Sequence, residues 1–305
     1  MEQQYTPMDT AVIITHIPEN RLWLADQLQT SQVVNFLSAL QRFTAASTAN
    51  CHALMENTDF APLIGLILDP DVELAAISLK VLQNCVILNV LAGKKLIEVG
   101  LLSQVTEALR SQFSEVKIIC TSIIAHLCFR HPDSAYEALL NDNVFARVLA
   151  FCEDIGSDPL PLGTATGYAP RHTDSSDEDD MIPPPSVTIE TDPKDTVPWS
   201  TGLTLHGLET FLWALTMLCQ HSDEFLRRFA TAPVCLNPII VYLKDLGPVR
   251  NQEVSLGLLN RLLHKNTALN GVFREKGGML QQYRMTSYSS AHVIDSISLC
   301  ISIDA

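Results

Sequence analysis

Val72-Glu73-Leu74-Ala75-Ala76-Ile77-Ser78-Leu79-Lys80-Val81-Leu82-Gln83-Asn84-Cys85-Val86-Ile87-Leu88-Asn89 reads as a helix with a broad apolar face, because Leu74, Ile77, Val81, Leu82, Val86 and Leu88 recur at helical spacing. The pattern returns on both sides. Arg42, Asn84 and His126 hold the same late position in three such helices, at intervals of 42 residues. A period of that size belongs to a helical solenoid, whose units bury their apolar faces only against one another.

Each unit runs in one order: short helix, turn, second helix, turn, long apolar helix. The first turn falls at 57–59, at Gly100 and at 141–143, where residues that tolerate left-handed backbone recur. Second helices are predicted over 60–68, 101–109 and 144–151. Asp71 and Ser114 stand where N-caps of the long helices are needed, and Pro132 ends the helix that begins near Glu115. Upstream, residues 1–20 read as an irregular lead-in with Pro7 and Pro18. Leu22, Trp23, Leu24 and Leu28 then start a helix that covers the end of the stack, and the repeats occupy 21–154.

Over 155–200 the periodicity stops. Ten prolines and glycines from Pro159 to Pro198 exclude regular structure, and Asp174-Ser175-Ser176-Asp177-Glu178-Asp179-Asp180 is a solvated acidic block, so a disordered insertion is expected. Met217 follows His126 by 91 residues, one period plus an insertion of about 49. The insertion therefore splits one repeat instead of separating two domains, because 144–151 has no partner for its apolar face except 203–219. The solenoid resumes over 201–305 through 225–229, 236–243 and 254–263, with Arg261 in register. A last unit at 272–273, 279–283 and 292–303 ends on Leu299 and Ile301, an apolar end suited to self-association.

Totals narrow the function. The net charge is −14, and the segment 171–195, with eight acidic residues against Arg171 and Lys194, supplies −6 of it. An acidic body disfavours nucleic acid as a partner. Eight cysteines stand singly inside apolar runs, without the spacing of a zinc site or a disulfide framework, and read as buried thiols in a reducing, cytoplasmic setting. The first nine residues lack the pattern of a secretory signal, and Lys80, Asn84, Asn89 and Lys94 interrupt the apolar stretches short of membrane length.

These residues resemble armadillo repeats. Gly100 after Leu96-Ile97-Glu98-Val99 matches the turn glycine of that family. The run 78–86 is similar to its third-helix pattern of Ala-Leu-x-Ala-Leu-x-Asn-Leu type, and Phe211-Leu212-Trp213-Ala214-Leu215-Thr216-Met217-Leu218-Cys219 is the nearest copy. The resemblance implies an all-α, right-handed solenoid of three-helix units whose third helices line a concave groove. In its peptide-binding members a late asparagine bonds the peptide backbone and a tryptophan packs its side chains. Here Arg42, Asn84, His126, Met217 and Arg261 hold the asparagine position, and Ser38, Lys80, Ser122, Trp213 and Gly257 the tryptophan position. Only Asn84 and Trp213 match, and they stand in different repeats.

Arg42, Lys80, Asn84, His126, Trp213, Met217 and Arg261 are thus the candidate groove residues. Asn84 has a second reading, satisfying a backbone group inside the stack, and His126 a second reading as a core histidine. A groove carrying Arg42, Lys80, His126 and Arg261 suits an extended or acidic protein segment. The acidic block of the chain's own insertion is one such segment in cis, with Ser175 and Ser176 as phosphorylation sites before acidic residues.

Catalytic signatures are missing: there is no Gly-rich phosphate loop, no Gly-x-Ser-x-Gly and no His-Glu-x-x-His. His131, His206, His221 and His264 lie near the ends of long helices but lack the companion carboxylates or thiols of a metal site, and no cofactor is implied. The expectation is a non-enzymatic protein-binding scaffold or adaptor. A cochaperone resembling the armadillo-type nucleotide exchange factors is the alternative, and an enzyme with a cryptic site a more distant one.

Overall fold

The computed structural model describes residues 30–57, 60–89, 91–157, 203–244, 249–264 and 266–275. Among them the secondary structure is helical, without strands. The first long helix is α1 (Thr30–Ala46), followed by α2 (Thr48–Asn57), α3 (Ala61–Gly65) and a 3-10 turn Leu66–Leu68. The next units are α4 (Val72–Leu88), α5 (Ala92–Glu98) and α6 (Leu101–Ala108), then α7 (Ser114–Arg130), α8 (Pro132–Leu140) and α9 (Asp142–Ser157). After the undescribed stretch come α10 (Leu205–His221), α11 (Asp223–Phe229), a 3-10 turn Pro233–Leu236 running into α12 (Asn237–Lys244), α13 (Val249–Leu263) and α14 (Thr267–Glu275). The lead-in, the helix expected at 22–28, the acidic block with Ser175 and Ser176, and the apolar C-terminal end lie outside the described residues.

Helix ends follow local chemistry. Asp71 caps α4 by accepting from the Glu73 N–H at 2.9 Å, and Thr204 and Ser222 cap α10 and α11 in the same way. Gly100 turns the chain from α5 to α6 at φ +102°, a conformation that favours glycine. The turn at 141–143 works differently, through Asn141. Its backbone is at φ −56°, and its side chain accepts from the Asn143 N–H at 3.0 Å, so it acts as a side-chain cap and not as a left-handed turn residue. Ser114 is likewise not the cap of α7. Phe113 holds that position, and Ser111 Oγ accepts from the Phe113 N–H at 3.2 Å. Pro132 falls at the first position of α8, where its missing N–H costs nothing.

Helices α1, α4, α7, α10 and α13 pack each on the next, forming the inner layer of an all-α solenoid, with the other helices behind. One hydrophobic cluster runs from Val33 to Phe273 without a break at the undescribed residues. At its middle, α7 is buried on every side, every residue over 118–128 being inaccessible. That is the expected state of a helix apolar all round.

Hydrogen bonds between units repeat the sequence period. Arg130 Nη1 and Nη2 donate to the Val86 and Ile87 carbonyls at the end of α4, 44 and 43 residues back. Arg147 donates to Thr106 O across 41 residues, and Lys95 Nζ to Met55 O across 40. Each side chain satisfies helix-end carbonyls that the preceding unit leaves open. Across the insertion the interval doubles: Arg228 Nη1 donates to Leu140 O over 88 residues, and Asn237 Nδ2 to Cys152 O over 85.

That junction also corrects the expected second helix. α9 continues to Ser157, past 151 and into the stretch read as irregular, with Ile155 buried. Phe151 meets Phe211 edge to face at 4.8 Å, and Phe145 meets Phe225 at 5.7 Å. Gly156 permits the close approach, because a Cβ there would overlap the Asn237 amide. The partners that keep these turns helical come from beyond residue 202.

Candidate binding groove

The side-by-side packing of α1, α4, α7, α10 and α13 puts the ladder positions on one layer, with Arg42 at one end and Arg261 at the other. Both arginines are exposed. With neighbouring helices about 10 Å apart, they are separated by about four such steps.

The residues between them are engaged with one another. Asn84 is only 4% exposed, and its Nδ2 donates to Thr44 Oγ1 at 3.1 Å and to Gln41 O at 3.3 Å, both on α1. Of its two readings, the interior one holds: the amide that would reach a peptide backbone ties two units together. Lys80 is half-buried, and its ammonium pairs with Glu115 in the first turn of α7 at 2.6 Å. Gln83 Nε2 donates to Ser122 Oγ at 2.9 Å and so covers α7 from the α4 side.

His126 is covered from the other side. Its ring lies 4.5 Å from that of Trp213 on α10, tilted by 36°, and the residues are 5% and 7% exposed. Burial and then the nearby Arg130 charge push the imidazole down to about pKa 3, so it is neutral near pH 7. Its Nε2 is buried without a hydrogen-bond partner among the described residues. A basic surface through Lys80 and His126 is therefore not what the fold presents. Salt-bridging offsets the first and desolvation discharges the second, which leaves Arg42 and Arg261 as the accessible ladder cations. Met217 is half-buried against the core.

Phe129, one turn beyond His126, is 38% exposed and its ring meets that of the exposed His221 at 4.7 Å, tilted by 55°. It is an accessible aromatic that the sequence reading missed. A phenylalanine late in an apolar helix carries no signal that separates it from core.

The four histidines do not converge. His206 lies in the first turn of α10, beside Glu209 at 3.8 Å, and His221 in the last, about 22 Å away along the helix axis. Among the described residues no cluster of three or more histidines, cysteines, aspartates or glutamates could hold a metal ion. No helix among them is long and apolar enough to cross a membrane.

No family model matches the sequence, and no curated protein does. Solved structures do. A computationally designed armadillo repeat protein for modular peptide recognition is similar at 13% identity and TM-score 0.59, over 95% of this chain and 97% of that one. A designed armadillo repeat protein in complex with the peptide (KR)4 is similar at 13% identity and TM-score 0.59, over 96% and 98%. An engineered protein is similar at 12% identity and TM-score 0.60, over 96% of each chain. The fold is a divergent armadillo-like solenoid.

Proposed function

We propose that this protein is a non-catalytic, cytoplasmic interaction scaffold that takes an extended acidic protein segment along its inner helical layer. The observation carrying the reading is the pair of exposed arginines, Arg42 and Arg261, at opposite ends of one layer whose middle is closed by Gln83 and Trp213. The designed protein that holds (KR)4 is similar in fold, but the accessible ladder charges here are positive, so the preferred peptide is of opposite sign. Exposed guanidinium groups pair bidentately with carboxylates and phosphates. Lys80 and Met217 line the path between them. The acidic block at 174–180 is itself a segment of this chemistry and competes in cis, more strongly once Ser175 or Ser176 is phosphorylated.

Fluorescence anisotropy at low salt with an acidic peptide of about fourteen alternating Asp and Glu residues, long enough when extended to span both arginines, against (KR)4, tests the reading. The acidic peptide is expected to bind and (KR)4 not to. The Arg42→Glu/Arg261→Glu double variant is expected to lose that binding, and deletion of 171–195 to tighten it. Preference for (KR)4, or binding indifferent to the charge reversal, overturns the proposal. Unchanged affinity on deletion removes the cis competition alone.

A further inference from the structure

One helical turn beyond the ladder, the inner layer carries a second row of side chains. Ala45 and Ile87, which follow Arg42 and Asn84, are half-buried, and Phe129, which follows His126, stands out at 38% exposed. The other exposed large hydrophobics among the described residues, Leu68, Leu91 and Val99, sit at turns between helices. Phe129 alone among them lies on a helix of the inner layer.

Helix α10 completes the seam beside it. Trp213, Met217 and His221 succeed one another every four residues and so share one face of α10. Trp213 meets the His126 ring at 4.5 Å and His221 meets the Phe129 ring at 4.7 Å, which puts the half-buried Met217 between the two contacts. Arg130, next to Phe129 in sequence, is turned back onto α4, where it donates to the Val86 and Ile87 carbonyls.

We propose that the seam between α7 and α10, with Phe129, Met217 and His221, anchors one large aliphatic side chain of an acidic segment from another protein. The proposal rests on the groove reading above and adds a sequence requirement to it. Carboxylates toward the two ends of the segment pair with Arg42 and Arg261. Between them an acidic side chain has no free cation to meet and would face the electron-rich ring of Phe129, whereas an aliphatic one covers that ring and takes its apolar surface out of water. Met217 adapts to the shape of the guest, because a thioether side chain is flexible and polarizable.

The layer also sets where that residue stands. At about 10 Å per helix the seam is about 25 Å from α1 and about 15 Å from α13. In an extended segment the anchor is therefore about seven residues from the carboxylate on Arg42 and about four from the one on Arg261.

Anisotropy titrations of the full chain at low salt compare the all-acidic peptide of about fourteen residues with versions carrying a single leucine about five residues from one end, about five from the other, or at a terminus. One internal placement is expected to bind about five- to tenfold tighter than the all-acidic peptide, and which one reports the direction in which the segment runs. The terminal placements are expected to gain nothing. In Phe129→Ala and in His221→Ala the leucine and all-acidic peptides are expected to bind alike. The wild-type comparison decides even if a variant fails to fold. All-acidic binding with no gain from an internal leucine, or an equal gain at every placement, overturns the anchor and leaves the groove reading standing. Failure of every acidic peptide to bind overturns both. A gain seen only after deletion of 171–195 assigns the seam to the chain's own segment and overturns the external partner.

Discussion

His126 and Trp213 lie on successive long helices with their rings in tilted contact at 4.5 Å, although 158–202 intervene in the sequence. Both are buried, so the tryptophan is a strut between α7 and α10 before it is anything to a partner. Trp213→Ala is expected to cost about 3–5 kcal/mol. A double-mutant cycle with His126→Ala should return a coupling of about 0.5–1.5 kcal/mol, read by urea unfolding. A coupling near zero would mean that the two rings are neighbours without interaction.

The same histidine makes stability depend on pH. Its folded-state value is pushed down to about 3 from 6.5, so between these values the unfolded chain binds the extra proton. Its contribution is fully present above pH 6.5 and is lost as pH falls toward 3. The loss is about 1.4 kcal/mol per pH unit in the steep part of that window, or about 2 kcal/mol between pH 7 and pH 5. Urea midpoints of wild type and His126→Phe across that range check it, the variant having the flatter profile.

Asn84→Leu keeps the branched outline of the side chain, adds bulk, and leaves Thr44 Oγ1 and the Gln41 carbonyl without the amide that meets them. A loss of about 1–3 kcal/mol is expected. Because Asn84 works inside the stack, the variant should change peptide affinity less than Arg42→Glu does. Anisotropy titrations of the two variants, each measured well below its melting temperature, make the comparison.

Arg228 joins the units on either side of the insertion. It donates to Leu140 O at 2.6 Å and Asp142 Oδ1 at 2.7 Å, with its guanidinium 4.3 Å above the Phe145 ring. Lysine cannot reproduce that fork. Arg228→Lys is expected to cost about 1.5–3 kcal/mol and to speed hydrogen exchange at the α8–α9 turn. Exchange unchanged at that turn would place the stabilisation elsewhere.

The sequence alone determined the repeat. A 42-residue recurrence of apolar helices, Gly100 in its turn, and an isolated block of prolines and acids were enough to fix an all-α armadillo-like solenoid and the inner-layer register of Arg42, Asn84, His126, Met217 and Arg261. Periodicity carries this because it decides which face each helix buries, a property of one unit repeated. It read the turn 141–143 by analogy with Gly100, with Asp142 in register, and missed that the Asn141 side chain caps the helix there. It also ended α9 too early, since the partners that keep its last turns helical, Phe211 and Asn237, lie far along the chain.

Only the tertiary structure decided what the inner layer offers. Asn84 reaches back to α1, Lys80 is met by Glu115, Gln83 covers Ser122 and Trp213 covers His126. A spacing of about 10 Å between helices lets these side chains meet across the gap. Whether a ladder residue faces solvent or its neighbour depends on that distance and on the partner opposite. A one-dimensional period contains neither.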